Sequence, residues 1–180
     1  MDTPGVPGLE PVFATMTDDD PDCPYIQVRS QRNADGSVAH VWEKWVAFSV
    51  EPLYLALFAR YDPGMIVRRH GHFSPHTVVV LSGLLMIGDH ELGAGGHVEL
   101  PLGASFGPLL AGPHGAELYE VMMGDPRSWS DDEESMQRLL AARGATQLPD
   151  PPIDLPAGLD DLRAVFGRAE GIAAETDPDS

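Results

Sequence analysis

The chain has 180 residues, enough for one full-sized domain with its own core and too few for two comfortable ones. Apolar residues at 43% and charged residues at 22% argue against wholesale disorder, and a formal net charge of −17 argues against nucleic acid or an anionic membrane as partner. Seventeen prolines and 19 glycines cut the chain into short elements, which favours β architecture over a helical bundle.

Residues 1–24 carry five prolines and a run of aspartates without apolar period, and read as a flexible arm. Cys23 is the lone cysteine, so it forms no intramolecular disulfide, and no basic neighbour in sequence activates it as a nucleophile. The N-terminus lacks the order of a signal peptide and no stretch approaches the ~18 apolar residues of a membrane span, so the expected location is the cytoplasm. From Tyr25 the pattern changes to YIQVRS, a turn at NADGS, then VAHVWEKWVAFSV, which predicts a β-hairpin about Asp35 and Gly36. Trp42 and Trp45 have opposite parity on its second strand, so at least one is expected to meet a partner surface.

Apolar runs follow at 53–61, 65–73, 77–83, 84–92, 97–101 and 116–124, separated by DPG, SP, SG, GAGG or GPHG. Even spacing with a turn signal between runs predicts a β-sandwich or barrel, here over residues 25–127. After Gly124 the pattern becomes helical, giving a C-terminal helical extension over 128–180. Ser130 and Glu133 form a capping-box pattern, Met136, Leu139 and Leu140 an apolar stripe, and Arg143 with Gly144 a stop. A proline-rich connector leads to a second predicted helix at about 157–168.

The chemistry concentrates in MIVRRHGHFSPHTVVV, where His70, His72 and His76 fall within seven positions. On a strand His70 and His72 share one face, preset to hold one ion, and the turn at Ser74-Pro75 lets His76 return to it. Three neutral imidazoles leave coordination positions open, as catalytic metal sites require. The competing reading is of hydrogen-bonded core or surface histidines. Glu120 and Tyr119 have opposite parity, so one of them faces inward; an inward Glu120 is a spare carboxylate for a metal or for proton transfer. His114, in GPHGAE, is a candidate base or added ligand, whereas His90 and His97 are expected at the surface.

Gly64, His70, His72, His76 and Gly83 carry the spacing G-x5-H-x-H-x3-H-x6-G, which resembles the first motif of the cupin superfamily, G-x5-H-x-H-x3–4-E-x6-G. GGHVELPLGASFGPLL resembles the second, G-x5-P-x-G-x2-H-x3-N, through Gly95, Pro101 and Gly103. His76 stands at the usual glutamate, Phe106 at the second-motif histidine and Leu110 at its asparagine. The resemblance implies an all-β cupin fold, a double-stranded β-helix or jelly-roll barrel of the small RmlC-like kind, and a homodimer in which Trp42, Trp45 and the arm are covered. It also implies a divalent metal on His70, His72 and His76, with Fe(II) favoured and zinc, nickel, manganese or copper as alternatives. In the expected register Phe106 shapes an apolar pocket beside the metal or simply fills the core. Arg68, of the same parity as His70, holds a substrate carboxylate or lies at the barrel rim. Two functions follow: a metal-dependent enzyme of dioxygenase type acting on a small organic molecule, or a non-catalytic cupin binding a metal or small ligand as a sensor or structural module.

Overall fold

A computed structural model of the chain describes residues 13–17, 20–50 and 52–152. The elements in chain order are β1 (Ile26–Arg32), β2 (Val38–Val50), β3 (Leu53–Tyr61), β4 (Ile66–Val67), β5 (Arg69–Phe73), β6 (His76–Ile87) and β7 (His90–Gly93). They continue through β8 (His97–Leu100), β9 (Ser105–Phe106), β10 (Leu109–Met122), β11 (Asp125–Asp132), α1 (Glu133–Arg143) and β12 (Thr146–Gln147).

The first hairpin forms about the expected turn, because Gly36 takes a φ of +87° and Asp35 Oδ1 accepts the backbone N–H of Ser37 at 2.9 Å. β1 and β2 then continue into a large antiparallel sheet of order β12-β1-β2-β3-β10-β6-β7, with β4 paired to β10 and β8 to β6. A small sheet, β11-β5-β9, faces it, and the two remain separate ladders without closing the barrel. The core lies between them: Leu57, Val78, Val80 and Leu118 from the large sheet pack in one cluster with Phe106 of β9. Each fully buried leucine there contributes roughly 1.5–3 kcal/mol over its exposed state.

Two expectations change. The runs at 77–83 and 84–92 predict two strands, but β6 passes through Gly83 without a break. Gly83 has a φ of +73°, and a side chain there would collide with the Gly115 carbonyl, where the β10 register shifts between Ala111 and Ala116. The apparent turn signal is thus a bulge that lets two backbones approach.

Secondly, DPRSWSDD is strand β11, paired with β5, so the small sheet continues past residue 127 to Asp132. Ser130 is therefore no helix cap; its hydroxyl donates to the Arg69 carbonyl at 2.8 Å. Asp132 caps α1 instead, accepting the Ser135 N–H at 2.9 Å, and Glu133 and Glu134 occupy the first turn. The predicted stop is correct, with Gly144 left-handed at φ 60°. Met136 and Leu140 seat the helix on Ile66 outside the main core.

Both tryptophans of β2 also make contacts within the chain. Trp45 faces inward at 9% exposure, and Trp42 packs edge-on against His40 and directs its indole N–H at Asp62. The described part of the arm packs on the face of β2 and β3 away from Trp45. Fully buried Lys44 donates to the Thr17 carbonyl at 2.9 Å, and the Arg60 guanidinium stacks 4.4 Å from the Tyr25 ring centroid. The half-buried Cys23 thiol donates to the Trp45 carbonyl, and burial raises its pKa. The helix expected at 157–168 and residues 1–12 of the arm lie outside the described residues. Among those residues no helix is long and apolar enough to cross a membrane.

Candidate functional site

β5 presents His70 and His72 on the face turned toward the large sheet. Gly71 between them is required by the other face: a Cβ there would meet the Ala104 carbonyl oxygen at 2.5 Å and the Trp129 ring at 2.6 Å. Trp129 of β11 thus backs the strand and fixes which way the two imidazoles point. They line a cavity of about 220 Å3 between the sheets, together with Val41, Glu43, Trp45, Tyr61 and Glu120 from the large sheet.

The hydrogen bonds determine the tautomers. His70 Nδ1 lies 2.8 Å from the Arg68 carbonyl and His72 Nδ1 lies 2.7 Å from the Pro126 carbonyl. A carbonyl oxygen only accepts, so each Nδ1 carries the proton. Burial, reinforced by the neighbouring imidazole, pushes His70 down to about 3 and His72 down to about 4, so both rings are neutral at physiological pH. Each Nε2 is then an unprotonated lone pair, with no hydrogen-bond partner among the described residues.

His76 is placed differently. It begins β6 at 1% exposure, and its Nε2–H donates to Glu120 Oε2 at 3.0 Å across the β6–β10 ladder. Its ring centroid is 4.6 Å from that of His72, but the residue does not line the cavity; its Nδ1 is buried and unpartnered. Burial pushes Glu120 up, but the hydrogen bond from His76 and the neighbouring histidines outweigh it and hold the carboxyl below its ordinary range. Glu43 receives less help. Burial drives it up to about 7, against the Trp45 indole N–H that donates to Oε2 at 2.7 Å, with the Glu120 charge adding to the rise. One cavity therefore holds an ionised carboxylate and a carboxyl poised near neutrality, a pattern that separates acid from base roles. The Tyr61 phenol is raised well above 10 by burial and by both carboxylates.

No family model matches the sequence, and no curated protein matches it. Solved structures do match. An RmlC-like cupin from Shewanella frigidimarina shares 20% identity over 48% of this chain and 77% of its own, with a TM-score of 0.41. An acetylacetone dioxygenase from Acinetobacter johnsonii matches 79% of this chain and 99% of its own, at 14% identity and a TM-score of 0.54. The chain has the cupin fold.

In this fold the departures from the two motifs acquire positions. His76, at the usual glutamate, faces the Glu120 carboxylate, so a carboxyl group stands beside the histidine pair but comes from β10. Phe106 pairs opposite His70 and is 7% exposed, its ring 4.8 Å from the His70 ring and 5.5 Å from that of His76. It fills the core behind the imidazoles and does not line the cavity. Leu110 pairs opposite Ile66 and packs against the helix cluster.

Arg68 does not join the cavity either. It falls between β4 and β5, where the strand parity used to aim it does not hold, and lines a small crevice on the Met136 side with its buried Nε unpartnered. His114 sits exposed in the β10 bulge, away from the cavity, and His90 and His97 are exposed as expected. Tyr119 turns outward against Phe58, leaving Glu120 as the inward residue of the pair.

The donor chemistry fits a divalent metal. Metal-ligating histidines donate their second ring N–H to a carbonyl or carboxylate, and His70 and His72 both do so. Among the described residues no three His, Cys, Asp or Glu side chains are already gathered as a metal-binding group. The ligand assignment therefore rests on tautomers and on which groups face the cavity. Arg29, Glu43, Tyr61 and Asp150 also line the cavity. Glu43 was visible in the alternation Val41-x-Glu43-x-Trp45, which sets a carboxylate among inward apolar residues.

Proposed function

We propose that this cupin is a metal-dependent enzyme acting on a small organic molecule held in the cavity, with the metal bound by His70 Nε2, His72 Nε2 and the Glu120 carboxylate. The observation that carries the reading is the pair of Nδ1–H···O=C hydrogen bonds, which leaves two Nε2 lone pairs on residues sharing a cavity with an ionised carboxylate. Two histidines and one carboxylate with open positions suit Fe(II), which supplies Lewis-acid polarisation of substrate oxygens and redox chemistry when bound.

His76 supports the site from behind by orienting Glu120 through its Nε2–H. Its unpartnered Nδ1 favours a second arrangement with His76 as third ligand, but Glu120 lines the cavity and His76 does not. Val41, Trp45 and Tyr61 give the substrate an apolar wall. Glu43, whose carboxyl burial drives up to about 7, lines the cavity where it can give a proton to the substrate or take one from it. The acetylacetone dioxygenase among the structural neighbours supports an oxidative reaction on a small oxygenated molecule.

The test is oxygen uptake and product formation by Fe(II)-loaded protein with a panel of diketones, thiols and hydroxy acids. Turnover that disappears in His72→Ala supports the enzyme. Metal binding without turnover on any substrate would favour the sensor or structural module instead.

A further inference from the structure

The cavity has one cationic wall, and a carboxylate of the chain itself already rests on it. Arg29 is the only Arg or Lys among the described residues lining the cavity, whose other ionisable neighbours include Glu43, Glu120 and Asp150. Strand parity alone would send Val28 and Arg29 to opposite faces of β1. The β1–β2 register shifts between Gln27 and Arg29, and this bulge brings both side chains to the cavity. A bulge that re-aims a charged side chain into a site in this way is a built feature of the fold.

Arg29 Nη1 is 3.0 Å from Asp150 Oδ2, with side-chain exposures of 29% and 45%, which places the ion pair at the cavity mouth. Asp150 is carried by a strap with few attachments. β12 pairs with β1 over two residue pairs, Gln31 with Gln147 and Arg32 with Thr146, and the Leu148 N–H donates to the Ser30 carbonyl at 3.0 Å. Behind the ion pair, Arg68 lines the crevice that Arg29 and Asp150 share, and its buried Nε lacks a partner. Both arginines thus line a crevice that Asp150 also borders.

We propose that Arg29 is the anchor for the carboxylate of a small organic acid, and that Asp150 occupies this anchor until such a ligand displaces it. A partly exposed ion pair stabilises the strap by about 1 kcal/mol or less, so displacement costs little. A ligand carboxylate bound bidentately by a guanidinium regains more than that. The inference deepens the proposed function by naming the substrate class, but the binding it describes needs neither metal nor turnover.

The experiment is calorimetric titration of metal-free protein with acetoacetate, 2-oxoglutarate and benzoate, each beside its uncharged ester, which for 2-oxoglutarate is the dimethyl ester. For at least one acid, Asp150→Asn binds roughly tenfold more tightly than the natural chain, while the ester is unaffected. Arg29→Gln loses the preference for acid over ester, with its thermal unfolding followed to confirm that it folds. Equal binding of all acids and esters by Asp150→Asn, no binding of any acid, or an acid preference that survives Arg29→Gln would overturn the proposal. Acid binding without any turnover would leave the anchor standing and remove the enzyme; turnover of neutral substrates alone would do the reverse.

Discussion

His76 and Glu120 form a buried pair across the β6–β10 ladder, with Nε2–H donated to Oε2 at 3.0 Å and side-chain exposures of 1% and 9%. In the proposed site the histidine at the usual glutamate position orients the carboxylate from β10, which faces the cavity. Removing a positioning partner costs metal affinity about 10–100-fold, whereas removing a ligand costs more. In calorimetric titrations with Fe(II) or Zn(II), His76→Gln, which keeps a donor to Glu120, should weaken binding less than Glu120→Gln does. Abolition by His76→Gln with retention in Glu120→Gln would make His76 the third ligand.

Glu43 makes stability depend on pH in a defined direction. Its folded pKa of about 7 lies above the ordinary 4.5, so the folded chain binds the proton more tightly than the unfolded chain. The carboxyl costs nothing below about pH 4.5, and its ionisation removes stability as pH rises toward 7, by on the order of 3 kcal/mol at the limit. Glu43→Gln keeps an oxygen for the Trp45 indole and lacks the penalty. Urea unfolding should show the variant more stable than the natural chain at pH 8 and equal to it at pH 4.5; an equal gain at both pH values would contradict the assignment.

Gly71 is fixed by space rather than by conformation. A methyl group there would press on the Ala104 carbonyl, which is backbone and cannot rotate away, and on the Trp129 ring. Gly71→Ala should lose about 1–3 kcal/mol of stability and disturb the ring that backs His70 and His72, visible as a changed Trp fluorescence and a lower unfolding midpoint.

Helix α1 tests the reassigned cap. Asp132→Ala should cost about 1 kcal/mol by loss of the bond to the Ser135 N–H. Ser130→Ala, at an exposed position on β11, should stay within about 0.5 kcal/mol. Chemical denaturation of both variants decides the matter, and the reverse order would restore Ser130 as the cap.

Much of this was legible in the chain. The period-2 runs placed the strands, the Asp35-Gly36 turn placed the first hairpin, and His70-x-His72 placed two imidazoles on one face. The rest depends on relations that periodicity does not encode. Gly83 and Gly115 read as turn residues but form a bulge, because close approach and a tight turn both demand glycine. Arg29 reaches the cavity only through the bulge in β1, and Arg68 leaves it because the chain is irregular between β4 and β5. DPRSWSDD reads as a helix entry because serine, aspartate and proline serve both caps and edge strands. Asp150 lies in a proline-rich connector held to β1 by the short β12 ladder and by the Leu148 N–H bond to the Ser30 carbonyl.

His70 and His72, with their Nδ1 protons held on carbonyls, supply two of the three proposed metal ligands. The most direct measurement is metal uptake by tag-free protein, loaded with Fe(II) without oxygen, dialysed and assayed by elemental analysis, beside the His70→Ala/His72→Ala double variant. The account predicts about one equivalent of metal per chain in the natural protein and almost none in the folded double variant. Equal uptake by the two, or no uptake by either under any loading condition, would contradict it.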